Sequence, residues 1–422
     1  MSAVALVLFR SPSPSDARPF TALHARAREI LRERHFELFR RAGVDRVVLV
    51  AGREEAARAG RPDARHPAGD GMPRAPHGSF GEALAAVVRE EGIRACVVMG
   101  DGAVPLIRES DAAALVAAAR GPTPLTLTNN RYSSDVCALS DASVLGRLPP
   151  LPSDNALPRW LEEVAGVPVR ELPARRRLAL DLDTPQDLAL VALARGCPPP
   201  LRRLATDAHL TIPRLDEIRD LAADPRRELL VMGRSSSRTL AWLERHVRCR
   251  VRFLAEERGL RASSPLAIAS GPEGPPRAGA RDLDAPRHAG HPRHPRATLG
   301  RLIERGGPSS LAPIVAELAD GAVLDSRVLL ADRLGADEEA WPAPEDRFAS
   351  DLLRPDGIAD DWLRALTEAA AAAPIPILLG GHTLVGPGVP LLLARKGSRP
   401  ARRAGSPDGP GPRGAGPTSA LR

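Results

Sequence analysis

The sequence predicts an α/β fold: a doubly wound, mostly parallel sheet, then a second, smaller α/β unit and a disordered basic tail. Three observations predict it. From residue 3 to residue 127, short apolar runs alternate with stretches of helical spacing. Near the middle of the 422 residues stands Pro198-Pro199-Pro200, and the alternation restarts beyond it. After Ala394 the apolar pattern stops.

Taken in order, residues 3–8 (AVALVL) and 46–50 (RVVLV) are short enough and apolar enough to be buried parallel strands. Between them, Leu23, Ala27, Ile30, Leu31, Phe36 and Leu38 recur at helical spacing, and Gly43 stands where a helix C-cap belongs. Residues 59–77, rich in Gly, Pro, Arg and His, read as a loop. A helix over 80–91, a strand over 95–99, a helix over 109–119 and a strand over 124–127 follow. The apolar run Leu178 to Leu182 predicts a further strand, a turn at Thr184-Pro185, and a helix from Gln186 through Ala194. The first domain is thus expected over 1–197.

The second is expected over 200–394. A helical stretch (203–223) leads to a strand over 228–232, a helix over 236–246 and a strand over 250–254. A low-complexity insert spans 264–297. Helices near 298–305 and 309–318, a strand over 322–330, helices near 346–353 and 359–373, and a strand over 375–379 complete it. Residues 395–422, rich in Gly, Pro and Arg, predict disorder.

Composition excludes several function classes. The net charge of +7 suggests nucleic acid, yet residues 395–422 carry seven basic groups against Asp408 alone. That leaves +1 for everything before the tail. Aromatic residues make up only 3% of the chain, too few for base-stacking platforms. Nucleic acid is therefore not an expected partner. No apolar run approaches the length of a membrane span. The opening residues read as a first strand, and Cys96, Cys137, Cys197 and Cys249 lack paired spacing, so reduced thiols in a cytoplasmic protein are expected. Lys396 is the only lysine, which leaves arginine to meet any phosphate.

The string Asp181-Leu182-Asp183-Thr184-Pro185-Gln186-Asp187-Leu188 carries the most chemistry. In an extended strand, Asp181 and Asp183 project to one side. Thr184 can cap the following helix and Pro185 suits its first position. Paired carboxylates at a strand end can hold a divalent metal, and a metal can hold a triphosphate. The same residues also read as a helix cap beside a solvated strand end.

This string resembles the D-x-D-T-P-x-D-L closing motif of MobA-like nucleotidyltransferases of the GT-A fold, a Rossmann-like fold. Residues 1–197 are similar in particular to the 2-phospholactate guanylyltransferases of deazaflavin cofactor synthesis. The resemblance implies that Asp181 and Asp183 help bind a metal–nucleotide complex, with Mg2+ as the cofactor. It implies a second metal-binding aspartate two residues before Pro105, a position held here by Ala103; Asp101 lies four residues before that proline and either serves instead or is a turn residue. An acceptor-binding segment is implied at Thr128, Asn129, Asn130 and Tyr132, a polar loop that follows a strand. Where the family has a glycine-rich or lysine-bearing phosphate loop, residues 10–18 hold neither glycine nor lysine, and Arg10 and Arg18 are the available charges.

The second half shows no such likeness. There, Arg234, Ser235, Ser236 and Ser237 follow Gly233 between a strand and a helix and form a candidate anion site. Glu256, Glu257, Arg258, Asp325 and Arg327 would lie near the same edge, and Gly380-Gly381-His382-Thr383 follows the last strand. His288, His291 and His294 read as a disordered stretch rather than a metal site. The expected activity is transfer of a nucleoside monophosphate from a nucleoside triphosphate to a small phosphorylated acceptor, releasing pyrophosphate. The alternative is a degenerate nucleotide-binding or scaffolding protein that keeps the fold without turnover.

Overall fold

The computed structural model describes residues 3–10, 18–50, 79–151, 153–173, 176–258 and 295–394. The loop at 59–77, most of the insert at 264–297 with its three histidines, and the tail at 395–422 lie outside them, as do residues 11–17 of the first loop.

The first half runs β1 (Val4–Phe9), α1 (Pro19–Arg41), β2 (Arg46–Val50), α2 (Phe80–Glu90), β3 (Ala95–Gly100), α3 (Glu109–Ala119), β4 (Thr126–Thr128), β5 (Val136–Leu139), α4 (Leu157–Glu163), β6 (Val169–Glu171) and α5 (Pro185–Leu193). Its six strands are ordered β2-β1-β3-β5-β4-β6. All neighbours are parallel except β5, which is antiparallel to both β3 and β4. The apolar strands are buried on both faces. Val4, Leu6 and Leu8 meet Phe36 and Phe39 of α1 and Leu115 of α3, whereas Ala5 and Val7 meet Leu84 and Val87 of α2 and Trp160 of α4. Each such side chain contributes about 1.5–3 kcal/mol on burial. The sheet is therefore doubly wound, as its sequence predicts.

The second half runs α6 (Pro199–Asp207), α7 (Leu215–Ala223), β7 (Glu228–Gly233), α8 (Ser237–His246), β8 (Arg250–Ala255), α9 (Thr298–Gly306), α10 (Leu311–Leu318), β9 (Gly321–Asp325), α11 (Ser326–Leu334), α12 (Pro344–Asp351), α13 (Asp361–Ala372), β10 (Ile377–Gly380), α14 (His382–Val385) and α15 (Val389–Leu393). Its four strands are all parallel, in the order β10-β9-β7-β8. Leu230, Met232, Leu324 and Leu379 pack under α9, α10 and α13; Leu229, Val231, Val323 and Leu378 pack under α7, α8 and α15.

Three expectations are corrected, and two strands are added. Residues 178–182 form no strand: Arg176–Leu178 is a 3-10 turn, and Asp181 makes one isolated antiparallel bridge to Ala103. The expected strand over 322–330 breaks at Asp325, whose side chain accepts from the Arg327 amide at 3.2 Å and starts α11. The stretch 203–223 is two helices, parted around Pro213. Strands β5 and β6 had not been expected.

Helix α5 belongs to both cores. Leu188 and Val191 pack against Ala27 and Leu31 of α1, while Ala189 and Leu190 join the second sheet beside Leu378 and Leu392. Buried Gln186 donates to the carbonyl of Leu379 at 2.8 Å and to that of Asp351 at 2.7 Å. Glu345 accepts from the amides of Phe20 and Thr21 at 3.0 and 2.8 Å, a second tie between the halves.

Candidate functional site

The closing motif is held by its own side chains. Thr184 Oγ1 accepts from the Asp187 amide at 3.1 Å, and Pro185 occupies the first turn of α5. Asp187 Oδ2 answers by accepting from the Asp183 amide at 3.1 Å and from Thr184 Oγ1 at 3.0 Å. Such reciprocal bonds satisfy the orphan amides of a helix start. Just before the helix, the Leu182 amide donates to Gly102 O at 3.0 Å, and His24 Nε2 donates to Leu182 O at 2.9 Å. Asp183 is left exposed at the tip.

Asp181 and Asp183 are not alone. Asp135, at the start of β5, shares a hydrogen bond with Asp181, and Asp154, in the 3-10 turn before α4, lies near enough for its charge to act on both. Burial first, and mutual repulsion second, push Asp135 and Asp154 each up to about 7. The same causes raise Asp181 well above the usual carboxylate range. One oxygen of Asp181, Oδ1, is buried without a hydrogen-bond partner. Carboxyls arranged this way hold protons that a cation can displace.

The donors are all oxygens, the set that suits Mg2+ or Mn2+. Among the described residues no three His, Cys, Asp or Glu side chains stand close enough to hold one ion by themselves. A hard cation held by one or two carboxylates, with substrate phosphates completing its shell, fits that arrangement.

Asp101 precedes Gly102, whose carbonyl accepts from the Leu182 amide of the closing motif at 3.0 Å. It is buried at the end of β3 and ion-paired with Arg28. It is not among the groups that shift Asp135, Asp154 or Asp181.

The polar loop after β4 is organised by Thr128 and Asn129, both buried. Thr128 Oγ1 donates to Val136 O at 3.0 Å. Asn129 Nδ2 donates to Asp135 Oδ2 at 2.6 Å and to Leu178 O at 2.7 Å, and its Oδ1 accepts from the Asp135 and Val136 amides. These two residues therefore face inward and aim Asp135. Asn130 and Tyr132 reach the surface, the latter 60% exposed. Arg10 donates its amide to Val50 O at 2.8 Å, and its charge acts on Arg32.

Sequence reasoning missed Asp135 and Asp154 as site residues. Asp154 opens a 3-10 turn whose N-cap residue, Ser153, makes no side-chain cap bond. The signal for Asp135 was its place at the end of a polar run following a strand; no local pattern joins it to residue 181.

In the second half, Arg234 pairs with buried Asp325 through Nε at 2.7 Å and a second nitrogen at 3.1 Å. Although burial opposes it, Arg234 holds the Asp325 carboxyl below the usual range. Ser235 Oγ donates to Val385 O at 2.7 Å; Ser236 Oγ lies 3.4 Å from Thr239 Oγ1; Ser237 opens α8. Arg327 forms a buried two-bond pair with Asp351, one contact at 2.7 Å. His382 is lowered to about 4 by burial and by Arg234, while Asp183, Asp325 and Arg258 also act on it.

No family model matches the chain, and no curated protein matches it. Solved structures do. The manganese complex of Rv0371c from Mycobacterium tuberculosis H37Rv is 18% identical, covers 44% of this chain and 96% of its own, and gives a TM-score of 0.31. A cytidylyltransferase from Leptospira borgpetersenii is 14% identical over 49% of this chain and 95% of its own, with a TM-score of 0.31. A CMP:2-keto-3-deoxy-manno-octonic acid synthetase complexed with CTP is 15% identical over 40% of this chain and 88% of its own, with a TM-score of 0.25. At these values the likenesses assign neither activity nor substrate to this chain. Among the described residues, no helix is long and apolar enough to cross a membrane.

Proposed function

We propose that the first half is a nucleotidyltransferase-like unit that moves a nucleoside monophosphate from a nucleoside triphosphate to a small phosphorylated acceptor. The observation that carries the proposal is the group of four carboxyls, Asp135, Asp154, Asp181 and Asp183, gathered beside the closing motif. Repulsion among them is relieved by a divalent cation, and Asp181 Oδ1 is an acceptor without a partner.

Asp181 and Asp183 would hold the cation, Mg2+ or Mn2+. When bound, it neutralises phosphate charge and orients the α-phosphoryl group. Asn129 keeps Asp135 aimed at Asp181. Asn130 and Tyr132, at the surface of the same loop, would position the acceptor. An acceptor phosphate oxygen bonds to the α-phosphorus, the bond to the β-phosphate oxygen breaks, and pyrophosphate leaves with the electron pair.

A second reading, nucleotide binding without turnover, is favoured by one observation: Arg28 occupies Asp101, the carboxylate nearest in sequence to the family's second metal ligand. A thermal-shift series with the four nucleoside triphosphates, with and without Mg2+ or Mn2+, tests binding; pyrophosphate release tests turnover. A cation-dependent shift with one nucleotide, lost in Asp183→Asn, is expected, because ligand binding stabilises by mass action. No shift with any nucleotide overturns both readings.

A further inference from the structure

The second sheet has its own crevice. From β7 the chain steps to β8 on one side and to β9 and β10 on the other, so the switch point lies between the C-terminal ends of β7 and β9. Open α/β sheets bind ligands there. Gly233, at φ +129°, ends β7, and a Cβ on it would overlap Asp325. The Arg234–Asp325 pair spans that switch point.

This edge faces the first half. Arg238, at the start of α8, reaches Glu171 at the end of β6, 3.7 Å away. Glu171 in turn accepts from the Arg131 amide at 3.0 Å, within the polar loop that leads to Asp135. Gln186, three residues after Asp183, is bonded to the end of β10. His382 and Arg258 are both near enough to Asp183 for its charge to act on them.

The charges are complementary. A cation on the carboxyls leaves a triphosphate with surplus negative charge, and residues 10–18 hold no lysine and no glycine for it. Two arginines of the second half stand near Glu171 and Asp183 of the first. Arg238 is 72% exposed and has one long contact. Arg258 lies over Trp341 and pairs with Glu338, yet its Nε makes no hydrogen bond.

We propose that Arg238 and Arg258 of the second half, beside the Arg234–Asp325 pair, hold the polyphosphate of a nucleotide whose cation sits on the carboxyls of the first. The site is then shared between the two sheets, and the second half supplies what the first loop lacks. This rests on the nucleotidyltransferase reading above.

The test uses the full chain, wild type and the double variant Arg238→Ala/Arg258→Gln, with Asp183→Asn alongside. Removing Arg258 leaves Glu338 paired with Arg347 at 2.8 Å, so the fold is not left with a bare acid. The probes are inorganic tripolyphosphate and the four nucleoside triphosphates with Mg2+, by calorimetry, and Mn2+ alone, by electron paramagnetic resonance of the free ion. Losing charge-assisted bonds should weaken both phosphate probes about tenfold or more in the double variant, while Mn2+ binding stays unchanged. If the double variant binds both phosphate probes like wild type while Asp183→Asn loses them, the shared site is overturned and the transferase reading stands. If wild type binds neither phosphate nor Mn2+, both are overturned. Unliganded melting temperatures of the variants confirm folding, and Arg238→Lys should recover part of the affinity.

Discussion

The carboxamide of Gln186 donates to the Leu379 carbonyl at 2.8 Å, across a sequence separation of 193 residues. It joins the helix of the closing motif to the last strand of the second sheet. The same nitrogen serves Asp351 O, so one side chain satisfies two buried acceptors. Gly380 lies against Gln186 Oε1, where a Cβ would overlap it.

Gln186→Ala should therefore destabilise the protein by about 2–6 kcal/mol, since each of the two acceptors left dry costs about 1–3 kcal/mol. Urea denaturation checks this. A loss below about 0.5 kcal/mol would mean that the two carbonyls find other partners.

The carboxyl group gives a pH signature. Asp135 and Asp154, near 7 in the folded protein against 3.8 as a reference, keep protons that an unfolded chain has released. Their contribution is greatest at low pH and falls as pH rises from about 4 through about 7. A cation takes the place of those protons, so its stabilisation should grow over the same window. Melting temperatures with and without Mg2+ at about pH 5 and about pH 8 check this; an equal shift at both pH values contradicts it.

Two imidazoles should stay neutral at physiological pH. Burial lowers His24 and His382 each to about 4, and Arg28 and Arg234 respectively reinforce it. Because the folded value lies below the free value, their contribution is present above about 6.5 and is lost as pH falls through about 4. Their ring proton resonances should not move between about pH 8 and about pH 5.5. A midpoint near 6.5 for His382 would place it in water, away from Arg234.

Arg327→Leu should cost about 3–5 kcal/mol, because it leaves the Asp351 carboxylate buried and unpaired. Replacing both members with Leu and Ala should recover much of that loss. Thermal denaturation of the single and double variants separates the two outcomes.

Much of this architecture was legible because its signals are local. The helix over 109–119 and the strand over 46–50 stand where periodicity puts them. Failures came where a short signal competed with an apolar run. Asp325-Ser326 is a helix start, yet it sits inside ten consecutive residues that are otherwise mostly apolar. The helical pattern expected over 203–223 stops at Asp207 and restarts at Leu215, beyond Pro213. Strands of three or four residues, such as β5 and β6, bury too little to leave a period. Thr184 and Pro185 announced the cap that they form, which Asp187 completes. The company kept by Asp181 was not legible, because Asp135 and Asp154 reach it only through antiparallel β5 and the turn before α4.

Because α5 lends Leu188 and Val191 to one core and Ala189 and Leu190 to the other, a scissile point at the proline run does not yield two separable pieces. A fragment stopping at residue 197 would present an oily face to water, and the remainder would lack a wall. In this chain, removing either half uncovers apolar side chains of α5 that the other half covers.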